Sequence, residues 1–430
     1  MIKKKINVGI IGLGHIGGRL YKEIISKKND IELKTGSKVN IAAISAKNYK
    51  KKRNFKFNRK IFYKNPILIS KKPKIDIVFE LIGLSDGISK KIIETALKNK
   101  KHVITANKAV IAKHGDYLSF LAEKNNVNLE FEAAVGGGIP VLRTIKDGLS
   151  TNKISKVVGI LNGTCNYILS EMETSKDAFK TVLKKAQSLG YAEPRDPKYD
   201  LNGLDALAKV RILSAIAFNK KISRNKCLMD GIENIESKDI EMANKLNFRI
   251  KLLGITEIIN NKLFERVHPC LVKKDNYIAN INGVMNAIIL EGKPVGQTIL
   301  QGEGAGPGPT SSALMSDLLS ILRGNIKFAF GSPYKKRNRT NYYDNNKYSN
   351  SFYLRIDVKD RPGVLSSIAK NFAKYNISIK NLIQNPDKKN NKASIIIITH
   401  KNIEKNYKNL ILNLSKNRFV LKKPTFIRIE

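Results

Sequence analysis

The stretch INVGIIGLGHIGGRLYKEI, residues 6–24, constrains the fold of this chain more than any other. A short apolar run is followed by glycines and then by apolar residues at helical spacing, the pattern of a strand, a tight turn and a helix. Gly12, Gly14 and Gly17 make G-x-G-x-x-G at that junction. In such a unit the first glycine permits the turn, the second lets the backbone approach a pyrophosphate, and the third allows close helix–strand packing. The helix N-terminus adds partial positive charge. With a strand before it and a helix after it, the motif reads as a dinucleotide-binding turn in which Leu13, His15 and Ile16 fill the remaining positions.

The second strand, VNIAAISA, does not end on the acidic residue that would bond an adenosine ribose 2′-OH. Ser45 and Lys47 stand there, with Arg53 closing the basic run NYKKKR. A 2′-phosphate suits such a loop, so NADP is expected over NAD, with NAD still possible. Two further strands, KIDIVFELIG and KHVITANKAVIA, flank a helical segment whose Ile88, Ile92, Ile93, Ala96 and Leu97 share one face. That is a βαβ crossover and predicts a parallel sheet. Ligands collect at the carboxyl ends of such strands, where Lys108 of TANKAV lies. A lysine there can bind a carboxylate or move a proton. Spacing alone leaves a plain surface lysine equally open.

After NLEFEAAVGGGIPVLR, whose three glycines suit either a hinge or a close backbone approach to a ligand, comes ILNGTCNYIL. Asn162, Gly163 and Thr164 open a helix there, a place that favours a carboxylate. Downstream, AEPRDPKYDLNGLDALAK gathers Glu193, Asp196, Asp200 and Asp205 ahead of Lys209. Asp205 and Lys209 are i, i+4 on a predicted helix and share a stripe with Ile212 and Ile216. A pair set among aliphatics loses hydration, which costs several kcal/mol per ion unless partners compensate. The cluster therefore reads as a site for an amino group beside an acid–base lysine.

Lys and Arg total 78 against 36 Asp and Glu, for a formal charge of +42. Lysines are scattered through every segment and do not interleave with aromatics, so a charged surface is favoured over nucleic-acid binding. No apolar run reaches the length of a bilayer span and no signal peptide opens the chain, which makes the cytoplasm the expected location. The three cysteines show neither a disulfide framework nor metal-ligand spacing.

In order along the chain, GLGHIGG, TANKA, EAAVGGGIPV, LNGTCNYIL, GYAEPRDPKYDLNGLDALAK and GEGAGPGPTSSALMSDL resemble the homoserine dehydrogenase family over nearly the whole length. The resemblance implies NAD(P)H-dependent reduction of L-aspartate 4-semialdehyde to L-homoserine, in the synthesis of threonine, methionine and isoleucine. It implies that Lys108 and Lys209 serve proton transfer and positioning, with Asp205 orienting Lys209. Lys108 would also border the cofactor. Glu193 would hold the substrate ammonium, with Asp200, Gly163, Thr164 and Tyr191 completing the pocket. A sodium-type monovalent cation would lie at Glu132, Val135, Gly137 and Ile139, mostly on carbonyls, and Gly306 would lie along the cofactor. Cys165 stands where serine is common, and Arg195 and Lys198 enter the acidic loop. No aspartate-kinase module precedes the fold, so a monofunctional enzyme is expected.

Residues 331–349 are polar and turn-rich and read as a linker. Residues 350–430 follow as βαββαβ and resemble an ACT domain with DRPGVL as its first strand-to-helix turn. Leu365, Ile368, Ala369 and Phe372 are expected to face its sheet. The expected architecture is α/β. A Rossmann-type nucleotide domain spans 1–132 with a returning segment near 300–325, an α+β substrate and dimerisation domain spans 133–300, and the ACT domain closes the chain. A homodimer or homotetramer is expected, with threonine or another amino acid as an effector and no nucleic-acid or membrane partner. Competing readings are a phosphorylating semialdehyde dehydrogenase with Cys165 as nucleophile, a phosphoglycerate-dehydrogenase-like enzyme, and a basic binding protein.

Overall fold

The computed structural model describes residues 4–53, 55–324, 327–339, 341–387 and 391–430. The first three residues of the expected nucleotide domain, the end of its returning segment at 325 and position 340 of the expected linker lie outside the described residues. Strands β1 (Lys4–Ile11), β2 (Ser37–Ser45), β3 (Ile77–Glu80), β4 (His102–Thr105) and β5 (Leu129–Glu130) form a sheet in the order β2-β1-β3-β4-β5. Every pair in it is parallel. Its strands are apolar because both faces are covered, as crossover helices require. The helix His15–Ser26 packs on one side, and the late helix Pro307–Leu322 returns to the same core through Leu314 and Leu318. The helices Ile88–Lys98 and Lys108–Lys124 lie against the opposite face.

The second sheet is mixed. It contains β6 (Lys153–Ile160), β7 (Leu228–Met229), β8 (Phe248–Ile259), β9 (Lys262–Lys273), β10 (Met285–Lys293) and β11 (Gly296–Glu303). It continues without a break into β12 (Ser349–Lys359), β13 (Ile379–Asp387), β14 (Lys392–Thr399), β15 (Asn402–Ile403) and β16 (Thr425–Ile429). The order is β11-β10-β6-β8-β9-β16-β12-β14-β13, with β7 beside β9 and β15 beside β12. The last strand of the C-terminal domain thus pairs in parallel with β9, at Arg428 with Cys270 and Ile429 with Leu271.

Within that C-terminal domain the helix Val364–Lys374 buries Val364, Ile368 and Phe372. Leu365 is 41% exposed and Ala369 is exposed too, contrary to the sequence expectation. Gly363, at φ +83°, sets the helix phase so that Val364 leads the inward stripe. The polar segment after residue 330 is not a loose tether. Arg337 is 1% exposed, bonded to Asp116 at 2.9 Å and to Ser119 at 2.7 Å, and Leu263 N–H donates to Asn341 O at 2.9 Å. Among the described residues no helix is long and apolar enough to cross a membrane.

Candidate active site

Lys108 owes its position to a chain of buried contacts. Glu80 ends β3 with no solvent exposure and accepts from Thr105 Oγ1 at 2.8 Å and from the Ile82 N–H at 3.0 Å. Asn107 donates to Leu84 O at 2.8 Å, while its Oδ1 caps the next helix by accepting from Val110 N–H at 3.1 Å. Lys108 is the first residue of that capped helix. Neither Glu80 nor Asn107 is among the residues expected from sequence; the Asn just before a helical run is the one local signal that marks the cap.

Asp205 is the centre of the site. Its two oxygens take Lys108 Nζ and Lys209 Nζ, each at 2.8 Å, and Asn162 Nδ2 donates to it at 2.9 Å. Lys209 Nζ also donates to Leu161 O at 2.5 Å, just past the end of β6. Asp205 and Lys209 are 4% and 7% exposed, so the aliphatic setting read from the helical stripe is present in the fold. Burial opposes charge on Asp205, but Lys209 and Lys108 outweigh it and hold the carboxyl well below its ordinary range. Burial, together with the repulsion of Lys108, pulls Lys209 below the ordinary lysine range even though Asp205 works the other way. Lys108 is displaced upward: burial works against its charge, and Asp205 overcomes that. The two lysines around one carboxylate are therefore unequal, and Lys209 is the readier to lose a proton.

These groups line a cleft of about 610 Å³ between the two sheets, shared with Ile16, Tyr191 and Gly306. Asp200 lies on it as well, accepting from Asn162 Nδ2 at 2.9 Å, with its carboxyl raised by burial and by the nearby Asp205. Gly163 opens the helix Gly163–Ser175 under the cap of Asn162, whose Oδ1 accepts from Cys165 N–H at 2.8 Å. A Cβ at Gly163 would sit 2.7 Å from Val284 O, which explains a glycine there. Thr164 Oγ1 donates to Tyr191 O, and the Tyr191 ring packs on Tyr167 with centroids 4.9 Å apart. Glu193 stands apart from this group: it is exposed, two residues beyond the lining residue Tyr191.

The glycine turn has the geometry a dinucleotide requires. Gly12 is at φ +104°, and a Cβ on it would meet Leu81 O at 2.5 Å. A Cβ on Gly17 would meet Gly12 O at 1.9 Å. Gly14, by contrast, has open space around it and starts the helix without a side-chain cap. Leu13 is buried, His15 exposed and Ile16 half-buried toward the cleft. Ser45 is buried at the end of β2, its carbonyl accepting from Gly12 N–H at 2.9 Å, and Lys47 is exposed beyond it. The Arg53 guanidinium bonds the carbonyls of Leu13, Asn48, Tyr49 and Lys51, folding the basic loop back onto the glycine turn.

At the expected cation position, the Glu132 carboxylate is already engaged: it accepts from the N–H groups of Leu142 at 2.8 Å and Arg143 at 2.9 Å. Val135 and Ile139 are buried, and Gly136 and Gly137 take positive φ. Among the described residues no N–H donates to the carbonyls of Val135 or Gly137. Beside them lies a buried ionic group that sequence reading missed, in which Asp317 bonds Arg143 at 3.2 Å and Glu132 N–H at 3.1 Å.

Cys165 is fully buried with its thiol pushed far up by burial and by Asp200 and Asp205. Burial thus disfavours the thiolate that the phosphorylating alternative needs.

The models for a homoserine dehydrogenase NAD-binding domain, a homoserine dehydrogenase catalytic domain and an ACT domain match residues 12–132, 140–319 and 352–418. The homoserine dehydrogenase of Neisseria gonorrhoeae is 38% identical over 99% of both chains. That of Bacillus subtilis is 34% identical, again over 99% of both. The crystal structure of a homoserine dehydrogenase from Thiobacillus denitrificans superposes with a TM-score of 0.90 at 36% identity, covering 100% of this chain and 99% of the other.

Proposed function

The chain belongs to the homoserine dehydrogenase family, and from that membership we propose how its residues carry out the reaction. The activity is oxidoreduction at a CH–OH group with a nicotinamide cofactor, interconverting homoserine and aspartate 4-semialdehyde on the way to threonine, methionine and isoleucine. When bound, the nicotinamide supplies or takes up the hydride at the reacting carbon. The open Gly14 and the uncapped helix start fit a pyrophosphate, with Ile16 and Gly306 flanking the nicotinamide end. The basic loop that Arg53 folds against the turn, with Lys47 exposed and no acid closing β2, supports NADP over NAD.

Lys209 is the proton donor to the growing alkoxide and, in homoserine oxidation, the base. Two of its three N–H bonds go to Leu161 O and Asp205, leaving one for the cleft. Lys108 keeps its charge and polarises the substrate oxygen, and Asp205 fixes both ammonium groups. Asp200 on the cleft wall takes the substrate ammonium together with Glu193, whose exposed carboxylate has to swing in from the loop beyond Tyr191, and the helix start at Gly163 and Thr164 takes the substrate carboxylate, with Tyr191 at the rim. A monovalent cation fits the carbonyls of Val135 and Gly137, beside Ile139, while the Glu132 side chain braces the following helix. The C-terminal domain is a site for a small-molecule effector, an amino acid such as threonine. One observation carries the catalytic assignment, the buried Asp205 carboxylate that bonds both Lys108 Nζ and Lys209 Nζ at 2.8 Å on the wall of the cleft.

The test follows absorbance at 340 nm while the protein oxidises homoserine without phosphate, with NADP and NAD side by side. Reduction of both, faster with NADP at equal concentration, is the expected result. Equal rates would remove the NADP preference, and a requirement for phosphate would remove the mechanism.

A further inference from the structure

A second cavity, of about 890 Å³, opens on Lys108 and is larger than the catalytic cleft. The two share Ala106 and Lys108, so Lys108 borders both. One wall of the second cavity is aliphatic, from Leu84, Leu204 and Leu207. Its charged lining is basic: Lys113, Arg211 and Arg224 join Lys108, with His114 beside them, and no carboxylate lines it. Asp86 answers Lys113 and His114 at 2.6 and 2.7 Å. Lys108 is answered by Asp205. Arg211 and Arg224 have no carboxylate within salt-bridge distance among the described residues. Arg211 donates one bond, to Asn225 O at 3.1 Å, and its Nε is buried without a partner. A cavity in which two guanidinium groups without carboxylate partners stand beside an aliphatic wall matches a short aliphatic dianion.

We infer that this cavity binds a small organic dianion of the dicarboxylate class, held by Arg211 and Arg224, and that its occupancy draws Lys108 away from Asp205. Because Lys108 lines this cavity as well as the catalytic cleft, a dianion bound here competes with Asp205 for that charge. The catalytic cleft stays open. The outcome is a lowered kcat with unchanged KM for homoserine.

The kinetic effect rests on the role given to Lys108, so binding and rate are measured separately. Calorimetry of succinate on the wild-type chain should show saturable binding, which Arg211→Gln/Arg224→Ser loses. No binding, or equal binding by the double variant, overturns the site. Initial rates of homoserine oxidation, with sodium chloride holding ionic strength constant, should show kcat falling at least threefold at saturating succinate. The double variant, with basal kcat within twofold of wild type, should need at least tenfold more succinate for the same effect. Should that variant fail to fold, Arg224→Ser alone, on an exposed loop, should need severalfold more; unchanged sensitivity would overturn the proposal. Inhibition expressed as a raised KM for homoserine or cofactor would put the anion in the catalytic cleft and overturn it as well.

Discussion

At the residue scale the site is one carboxylate and two cations whose affinities for the proton diverge because their surroundings differ. Lys209 is enclosed and repelled by Lys108, whereas Lys108 is partly open and attracted to Asp205. Replacing Lys209 by Ala should lower kcat by about two orders of magnitude, with NADPH binding by fluorescence titration unchanged. Near-native turnover would take Lys209 out of the reaction. The sign of the pH dependence follows from its downward displacement. In the proposed role Lys209 accepts a proton during homoserine oxidation and so acts in its neutral form, whose fraction grows as pH rises through its folded value. That value lies below the ordinary 10.5. The kcat profile should therefore climb with a midpoint below the ordinary lysine value, and a midpoint at or above that value would contradict the assignment. The Asp205–Lys209 pair was legible in the sequence because i, i+4 geometry is local and its aliphatic stripe announces desolvation. Asn162, which bridges Asp200 and Asp205, lies 38 and 43 residues away from them, and no local pattern specifies that contact.

At the scale of elements, the strand ends and helix starts set the chemistry. Asn107 caps the helix that begins with Lys108, and Glu80 holds the adjoining loop through Thr105. Asn107→Ala should cost about 1 kcal/mol of stability by removing the cap. Because it also frees the Lys108 backbone, kcat should fall about tenfold while KM for NADP stays constant. Loss of stability in thermal unfolding with kcat intact would mean a cap and nothing more. The βαβ crossover was readable from periodicity, since a run of apolar residues at helical spacing between two apolar runs has few other solutions. The helix Val364–Lys374 was readable in existence and in the burial of Ile368 and Phe372, whereas Val364, and not Leu365 or Ala369, completes the inward stripe. The ionic group around Asp317 was invisible, its members being brought together from Glu132, Arg143 and the late helix by the fold alone.

At the scale of the molecule, the C-terminal domain is attached through buried charge as well as backbone pairing. Arg428 on β16 bonds Glu404 inside its own domain and Asp230 across the join at 2.7 Å. Arg355 on β12 reaches Asp239 of the helix Ser237–Lys245 at 2.7 Å, where Tyr353 OH also donates at 2.9 Å. Glu404→Ala would leave a buried guanidinium without its main partner and should destabilise the chain by about 3 to 5 kcal/mol. Calorimetry should show that loss as a lower Tm with both domains still melting in one transition. Two separated transitions in the native chain would mean that the join carries little coupling.

The pairing of β16 with β9 also has a mechanical consequence. A twisted sheet resists bending according to how many rungs connect each neighbouring pair, and here a long ladder on either side narrows to two residue pairs. The side-chain bonds of Arg428 to Asp230 and of Arg355 to Asp239 brace that narrow splice. Beyond that splice, β9 is laddered along its length to β8, and β8 to β6, whose end leads straight to the carbonyl that holds Lys209. The backbone route from the C-terminal domain to the cleft therefore passes through two residue pairs and ends at the carbonyl that accepts from Lys209.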